Sequence, residues 1–191
     1  MINIGIDPSI NSTGVCVRDG VENYYYIITS KMTKKMREFK HKYITYLPYT
    51  KLDSKNMEYS EKENVKFTNM LNICTHIYNI ISAQLSAEIG VEKIEVCMEG
   101  VSYGSVGSAA LVDLCFLISA IRMTLRNLNI KFTIVSPTSL KKFACANGQA
   151  DKIVMIDAWK RLDKNISNIR DIKIDDLADS YFLSRYHNDI K

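Results

Sequence analysis

The stretch that decides the fold is the first: Ile2-Asn3-Ile4-Gly5-Ile6-Asp7-Pro8-Ser9-Ile10-Asn11-Ser12-Thr13-Gly14. Ile2, Ile4 and Ile6 alternate with smaller or polar residues, the period of a strand, and the strand runs out at Asp7-Pro8. Two further β-rich runs follow, Thr13–Arg18 and Tyr24–Ser30, separated by the turn residues Asp19-Gly20. Strand, turn, strand, turn, strand predicts an antiparallel meander at the start of the fold.

Beyond the meander, strands alternate with helices. Ser60-Glu61-Lys62-Glu63 has the form of a capping box. Phe67, Met70, Leu71, Cys74, Ile77, Tyr78, Ile81 and Leu85 then keep the three-four spacing of one buried helix face, which Gly90 ends. Ile94–Met98 is a short apolar strand carrying Glu99 at its carboxyl end. A Gly/Ser-rich turn, 100–108, leads into a helix over roughly 107–128 that is apolar on most sides, as a central helix or one at a subunit interface would be. Lys131–Val135 is the next strand, and Pro137 opens a short helix with Ser136 as its cap. Asn147-Gly148 is a turn, 149–162 a helix, and a last helix runs from about Asp175 to Tyr186. The expectation is one α/β domain over 1–191, a mixed five-stranded sheet flanked by helices, interrupted by an inserted arm at 31–63 that contains Pro48 and lacks periodicity.

Composition narrows the classes. With 47% apolar and 24% charged residues the chain reads as soluble and globular. Nothing at Met1 resembles a signal peptide. The longest apolar stretch, near Leu111–Met123, is broken by Asp113, Ser119 and Arg122, so no membrane span is expected. Cys16, Cys74, Cys97, Cys115 and Cys145 form no CxxC pair, which points to thiols in a reducing cytoplasm rather than to zinc or disulfides. The net charge of +4 is too mild to argue for nucleic acid. Its distribution says more: Lys31, Lys34, Lys35, Arg37, Lys40 and Lys42 face a single acid, Glu38, and they interleave with Phe39, Tyr43, Tyr46, Tyr49 and Tyr59. Such an arm suits phosphate neutralisation and base stacking; it equally suits a solvated insertion whose aromatics pack locally.

Four carboxylates are the candidate chemistry. Asp7 and Glu99 both fall at the carboxyl ends of strands, where α/β sheets bind ligands. Asp176 and Asp179 are three apart and share a helix face. Each alone has an ordinary explanation, a turn residue for Asp7 and a helix amino terminus for Asp176. Together they would repel one another unless cations neutralised them. Oxygen ligands without histidine or thiolate select Mg²⁺ or Mn²⁺, and two such ions about 3.5–4 Å apart suit phosphodiester cleavage.

In these blocks the sequence resembles the RuvC family of Holliday junction resolvases, within the RNase H-like superfamily, in a phage or virus-like branch. Ile4–Gly14 looks like the family's first-strand motif, and Glu99 with its Gly/Ser-rich turn and apolar helix like the second. Val135-Ser-Pro-Thr-Ser-Leu-Lys-Lys-Phe143 through Asn147–Lys152 looks like the third, and Asp176-Leu-Ala-Asp-Ser-Tyr181 like the closing DxxD helix. The set covers roughly two thirds of the chain in order. The resemblance implies metal-binding catalytic acids at Asp7, Glu99, Asp176 and Asp179, lysines near the scissile phosphate at Lys141 and Lys152, and a junction-contacting aromatic for which Tyr103 is the nearest candidate. It implies an Mg²⁺-dependent homodimeric enzyme of the host cytoplasm that nicks four-way junctions, leaving 5′-phosphate and 3′-hydroxyl ends. Lys34, Lys35, Arg37 and Lys40 are the candidate DNA contacts of the arm. Two other readings fit the same residues: a nuclease of RNA–DNA hybrids or of branched DNA in general, and a non-catalytic DNA-binding or assembly protein. The chain departs from the family pattern in the length of the 31–63 insertion and in Ala146 standing where a glycine pair with Gly148 is expected.

Overall fold

The structure is a computed structural model describing residues 1–86, 93–101, 109–167, 169 and 175–186. The opening meander forms as expected. β1 (Ile2–Asp7) pairs antiparallel with β2 (Ser12–Arg18), Ile6 opposite Val15 and Asp7 opposite Gly14. β2 pairs antiparallel with β3 (Asn23–Thr29). The turn between them is held by Asp19 Oδ1, which accepts from the backbone N–H groups of Val21 and Glu22 at 3.0 and 2.8 Å, while Gly20 takes a positive φ of 98°.

The sheet has six strands, in the order β4-β3-β2-β1-β5-β6, rather than five. The extra strand comes from the 31–63 segment. There a short helix, α1 (Lys34–Glu38), capped by Thr33, leads into β4 (Ile44–Pro48), parallel to β3. Ile44-Thr-Tyr-Leu is a good strand sequence that Pro48 disguises. Proline cannot donate to a ladder, but β4 is the edge of the sheet, where that loss is tolerated.

β5 (Ile94–Glu99) lies parallel to β1 on its other side, and β6 (Lys131–Val135) parallel to β5. Between β4 and β5 runs α2 (Tyr59–Ser86). It starts before the expected box: Glu61 Oε2 reaches back to the Glu58 N–H at 3.0 Å, so Ser60 lies inside the helix and does not cap it. Its buried stripe is Met70, Ile73, Cys74, Ile77, Ile80 and Ile81, rotated from the expected face; Phe67, Leu71 and Tyr78 are exposed. α3 (Ala109–Asn127) likewise buries one face only, Leu117, Ile118, Ile121 and Leu125, and leaves Val112, Phe116 and Met123 exposed, so of the two settings its composition suggested it does not take the central one.

The pleat sorts the core. Ile2, Ile4 and Ile6 of β1, Val15 and Val17 of β2, and Ile94, Val96 and Met98 of β5 turn to one face, against α2 and α3. Each fully buried isoleucine there is worth about 1.5–3 kcal/mol. The opposite face presents Cys16, Tyr25, Ile27 and Cys97 to α4 (Pro137–Cys145), α5 (Lys152–Leu162) and α6 (Asp175–Arg185). On that side Tyr25 Oη bonds Asp163 and accepts from Trp159 Nε1 at 2.9 Å, tying α5 to the sheet. Gly5, Asp7 and Glu99 have the parity of this second face, where α6 lies.

Candidate active site

α6 rests on two glycines. A Cβ on Gly5 would stand 1.9 Å from the Ser180 carbonyl oxygen, and one on Gly14 would stand 2.2 Å from that of Asp176. The missing side chains let the helix backbone descend onto β1 and β2, bringing its first two turns to the end of β1.

Each acid is then delivered by a different element. Asp7 closes β1 and is only 8% exposed. The loop behind it is fastened by Thr13, whose hydroxyl donates to the Ser9 carbonyl at 2.7 Å and accepts from the Ser9 N–H at 3.1 Å. Glu99 closes β5, the adjacent parallel strand, and the following residue stays on the sheet through a Gly100 N–H to Val135 carbonyl bond of 2.8 Å. Asp176 and Asp179 occupy successive turns at the start of α6.

The four acids share one electrostatic field. Burial raises the Asp7 carboxyl well above the ordinary aspartate range, and the charges of Glu99, Asp179 and Asp176 raise it further. Asp7 and Glu99 lie within hydrogen-bonding reach of each other. Asp179 is pushed up to about 7 by burial and by Glu99 and Asp176. Burial raises Glu99 as well, opposed by the positive charges of Lys141 and Lys152. Desolvation together with like charge is the pattern of a functional cluster. Among the described residues, no three acidic, histidine or cysteine side chains stand at the geometry of a formed metal centre. The carboxylates are near enough to act on one another's charge, and Asp7 and Glu99 touch.

The two lysines come from α4 and α5. Ser136 Oγ accepts from the Ser139 N–H at 3.1 Å and sets α4, which carries Lys141. Asp151 accepts from the Val154 N–H at 2.9 Å and places Lys152 first in α5, three residues later than the helix start expected from the sequence. Lys152 forms an ion pair with Asp175, which raises the lysine's pKa. Asp175 was missed in the sequence because two consecutive acids at a helix start are already explained by the helix dipole.

The remaining candidates are scattered. Lys34, Lys35, Arg37 and Lys40 are exposed, and Lys34 faces Glu38 at 3.8 Å. Most of the arm's aromatics are packed: Phe39 stacks on His41 and meets Tyr46 edge-on, Tyr43 bonds Glu22, and Tyr49 bonds the Ile10 carbonyl. Tyr59 is 77% exposed. Tyr103 lies outside the described residues. Cys16, Cys74 and Cys97 are buried thiols, whereas Cys115 is exposed. No helix among the described residues is long and apolar enough to cross a membrane.

Neither family models nor curated proteins match the sequence. Solved structures do. RuvC of Thermus thermophilus superposes with a TM-score of 0.57 at 12% identity, over 98% of this chain and 93% of that one. The fold is that of RuvC. A second structure, T. thermophilus RuvC in complex with a Holliday junction substrate, also gives 0.57, at 10% identity over 98% and 92% of the two chains. The yeast mitochondrial Holliday junction resolvase Ydc2 gives 0.49 at 14% identity, over 95% of this chain and 75% of that one. The mixed sheet and flanking helices are thus those of the RuvC fold. A fold shared at such identity leaves function to be argued from the site.

Proposed function

We propose that this chain is a divalent-cation-dependent endonuclease that nicks branched DNA, four-way junctions above all. The observation that carries the reading is the convergence of Asp7, Glu99, Asp176 and Asp179, with Lys141 and Lys152 opposing their charge, on the fold of RuvC. The RuvC structure holding a Holliday junction supports the choice of substrate.

The donor set is oxygen only, partly buried and short of positive charge, which fits Mg²⁺ or Mn²⁺. Asp7, Glu99, Asp176 and Asp179 would hold two such ions. When bound, they neutralise the carboxylates, polarise the phosphodiester and favour water as the nucleophile. The protein's part is to keep these carboxyls deprotonated at working pH, against burial that favours their protonated forms. Lys141 and Lys152 orient the scissile phosphate and stabilise charge building on its oxygens. Before it can do so, Lys152 must leave Asp175. The products carry 5′-phosphate and 3′-hydroxyl ends.

Paired nicks on opposed strands call for two sites related by a two-fold axis. Phe67 on α2 and Val112, Phe116 and Met123 on α3 are exposed beside a cavity of about 320 Å³ on the face of the sheet away from the acids. This apolar face is where a homodimer would close without covering the site. Incubation with a mobile four-way junction, with and without Mg²⁺ or Mn²⁺, tests the reading. Two symmetric metal-dependent nicks are expected, with weaker cutting of flaps and RNA–DNA hybrids. A protein that binds junctions yet cuts nothing in either metal is instead a DNA-binding protein on a nuclease fold.

A further inference from the structure

The end of the sheet that carries the acids carries a second feature. β3 and β4 run in the same sense as β1, with only β2 reversed, so their carboxyl ends lie on the side of Asp7 and Glu99. A cleft of about 750 Å³ opens there, floored by Pro48 and Tyr49 and walled by Lys31, Arg37 and Lys51. All three cations are exposed, and among the described residues none of them forms an ion pair.

The cleft is joined to the carboxylate site by hydrogen bonds. Tyr49 Oη donates to the Ile10 carbonyl at 2.9 Å, and Thr29 Oγ1 donates to the Asn11 carbonyl at 3.0 Å. Ile10 and Asn11 belong to the loop that leaves Asp7. The other basic residues of the segment are placed differently. Lys34 faces Glu38, and Lys42 pairs at 3.1 Å with Glu22, which precedes β3 and so marks the opposite end of the sheet. Lys40 lies on the way to that end. Of the basic run, Lys31 and Arg37 thus share the cleft with Lys51, whereas Lys42 is held at the opposite end of the sheet.

We propose that the Lys31/Arg37/Lys51 cleft is a binding site for the sugar–phosphate backbone of the DNA strand that enters the carboxylate site. Neighbouring strands are about 4.8 Å apart, so β3 and β4 stand about 10–14 Å from β1. With the duplex axis along that direction and a rise of about 3.4 Å per nucleotide, the cleft grips the backbone roughly three to four nucleotides from the bond that is cut. The Arg37 guanidinium forks onto phosphate oxygens, and the lysines act as point charges on either side. The proposal deepens the nuclease reading and rests on DNA being the substrate.

Two triple variants with equal loss of charge separate the site from a general field: K31Q/R37Q/K51Q and K34Q/K35Q/K40Q. Affinity for a four-way junction is measured in EDTA from 50 to 200 mM salt, with thermal melts to show that both fold. Each phosphate neutralised contributes a slope of about −0.9 in log affinity against log salt. The first triple should flatten the slope by about 2–3, with the second changing it by less than 1, and R37K alone should keep it. Equal flattening by both triples, or by neither, overturns the proposal. Nicking in Mg²⁺ is read on the same proteins. A wild type that binds with the cleft-dependent slope but never cuts sinks the nuclease reading and leaves the cleft standing. A wild type that cuts while the first triple keeps the full slope sinks the cleft alone.

Discussion

The Asp176 carbonyl oxygen sits where a side chain on Gly14 would have to be, 2.2 Å from the Cβ position. Because Gly14 is paired with Asp7 across β1 and β2, this single close approach fixes how near the helix acids come to the strand acids. The site is therefore built as much on an absent methyl group as on the carboxylates.

Gly14→Ala forces the amino end of α6 away from the sheet. Overpacking of this kind costs about 1–3 kcal/mol, and a displacement of about 1 Å costs about 10²-fold in rate. Junction nicking should fall by that factor while the protein still melts cooperatively. Wild-type cutting by this variant would mean that α6 does not set the geometry.

Asp7→Asn removes one charge from a buried, self-repelling group. Nicking should drop by about 10²–10³-fold or more, junction binding should persist, and the melting temperature of the metal-free protein at pH 8 should rise. A variant that cuts normally, or that loses stability, contradicts the role given to Asp7.

The raised carboxyls make stability depend on pH in a definite direction. Asp179 moves from an ordinary 3.8 to about 7 on folding, so its protonated form favours the native state. That contribution is complete below 3.8 and is lost as pH rises through about 7. Asp7 and Glu99 shift in the same direction. Differential scanning calorimetry should show the metal-free protein melting lower at pH 8 than at pH 5. Mg²⁺ should restore the melting temperature at pH 8 and do little at pH 5, where protons occupy the ligands. Equal Mg²⁺ shifts at both pH values would count against a carboxylate metal site.

Ala146 ends α4 with a φ of +56°. A left-handed conformation costs a residue with a Cβ about 1–2 kcal/mol, and glycine adopts it freely. Ala146→Gly should therefore stabilise by up to about 1 kcal/mol, or about 2–4 °C in melting temperature. A lower melting temperature would show that the strain is relieved by contacts of the alanine methyl.

Asp7, Glu99, Asp176 and Asp179 were legible as candidates because local pattern reveals strand ends and a shared helix face, whereas Lys141 and Lys152 stood out only through the family resemblance. Asp175 was not legible, since its partner Lys152 is 23 residues away and belongs to another helix. β4 was hidden by Pro48, whose missing donor is harmless only at an edge that the sheet order defines. Of the expected α2 stripe, Met70, Cys74, Ile77 and Ile81 are buried, but Ile73 and Ile80 take the places read for Phe67, Leu71 and Tyr78, which are as apolar; only packing chooses between adjacent stripes.

By itself the sequence determined the local matters: the meander, the existence of the long helix α2, the cap at Ser136, and acids at the ends of strands. These follow from side-chain alternation and from hydrogen bonds spanning a few residues. The tertiary structure alone decided that Asp7 and Glu99 turn to the α6 face, that Gly5 and Gly14 admit the helix, and that Lys31, Arg37 and Lys51 gather beside the acids. Such relations join residues on different elements, Gly14 with Asp176 among them, and only strand order and close packing bring them together.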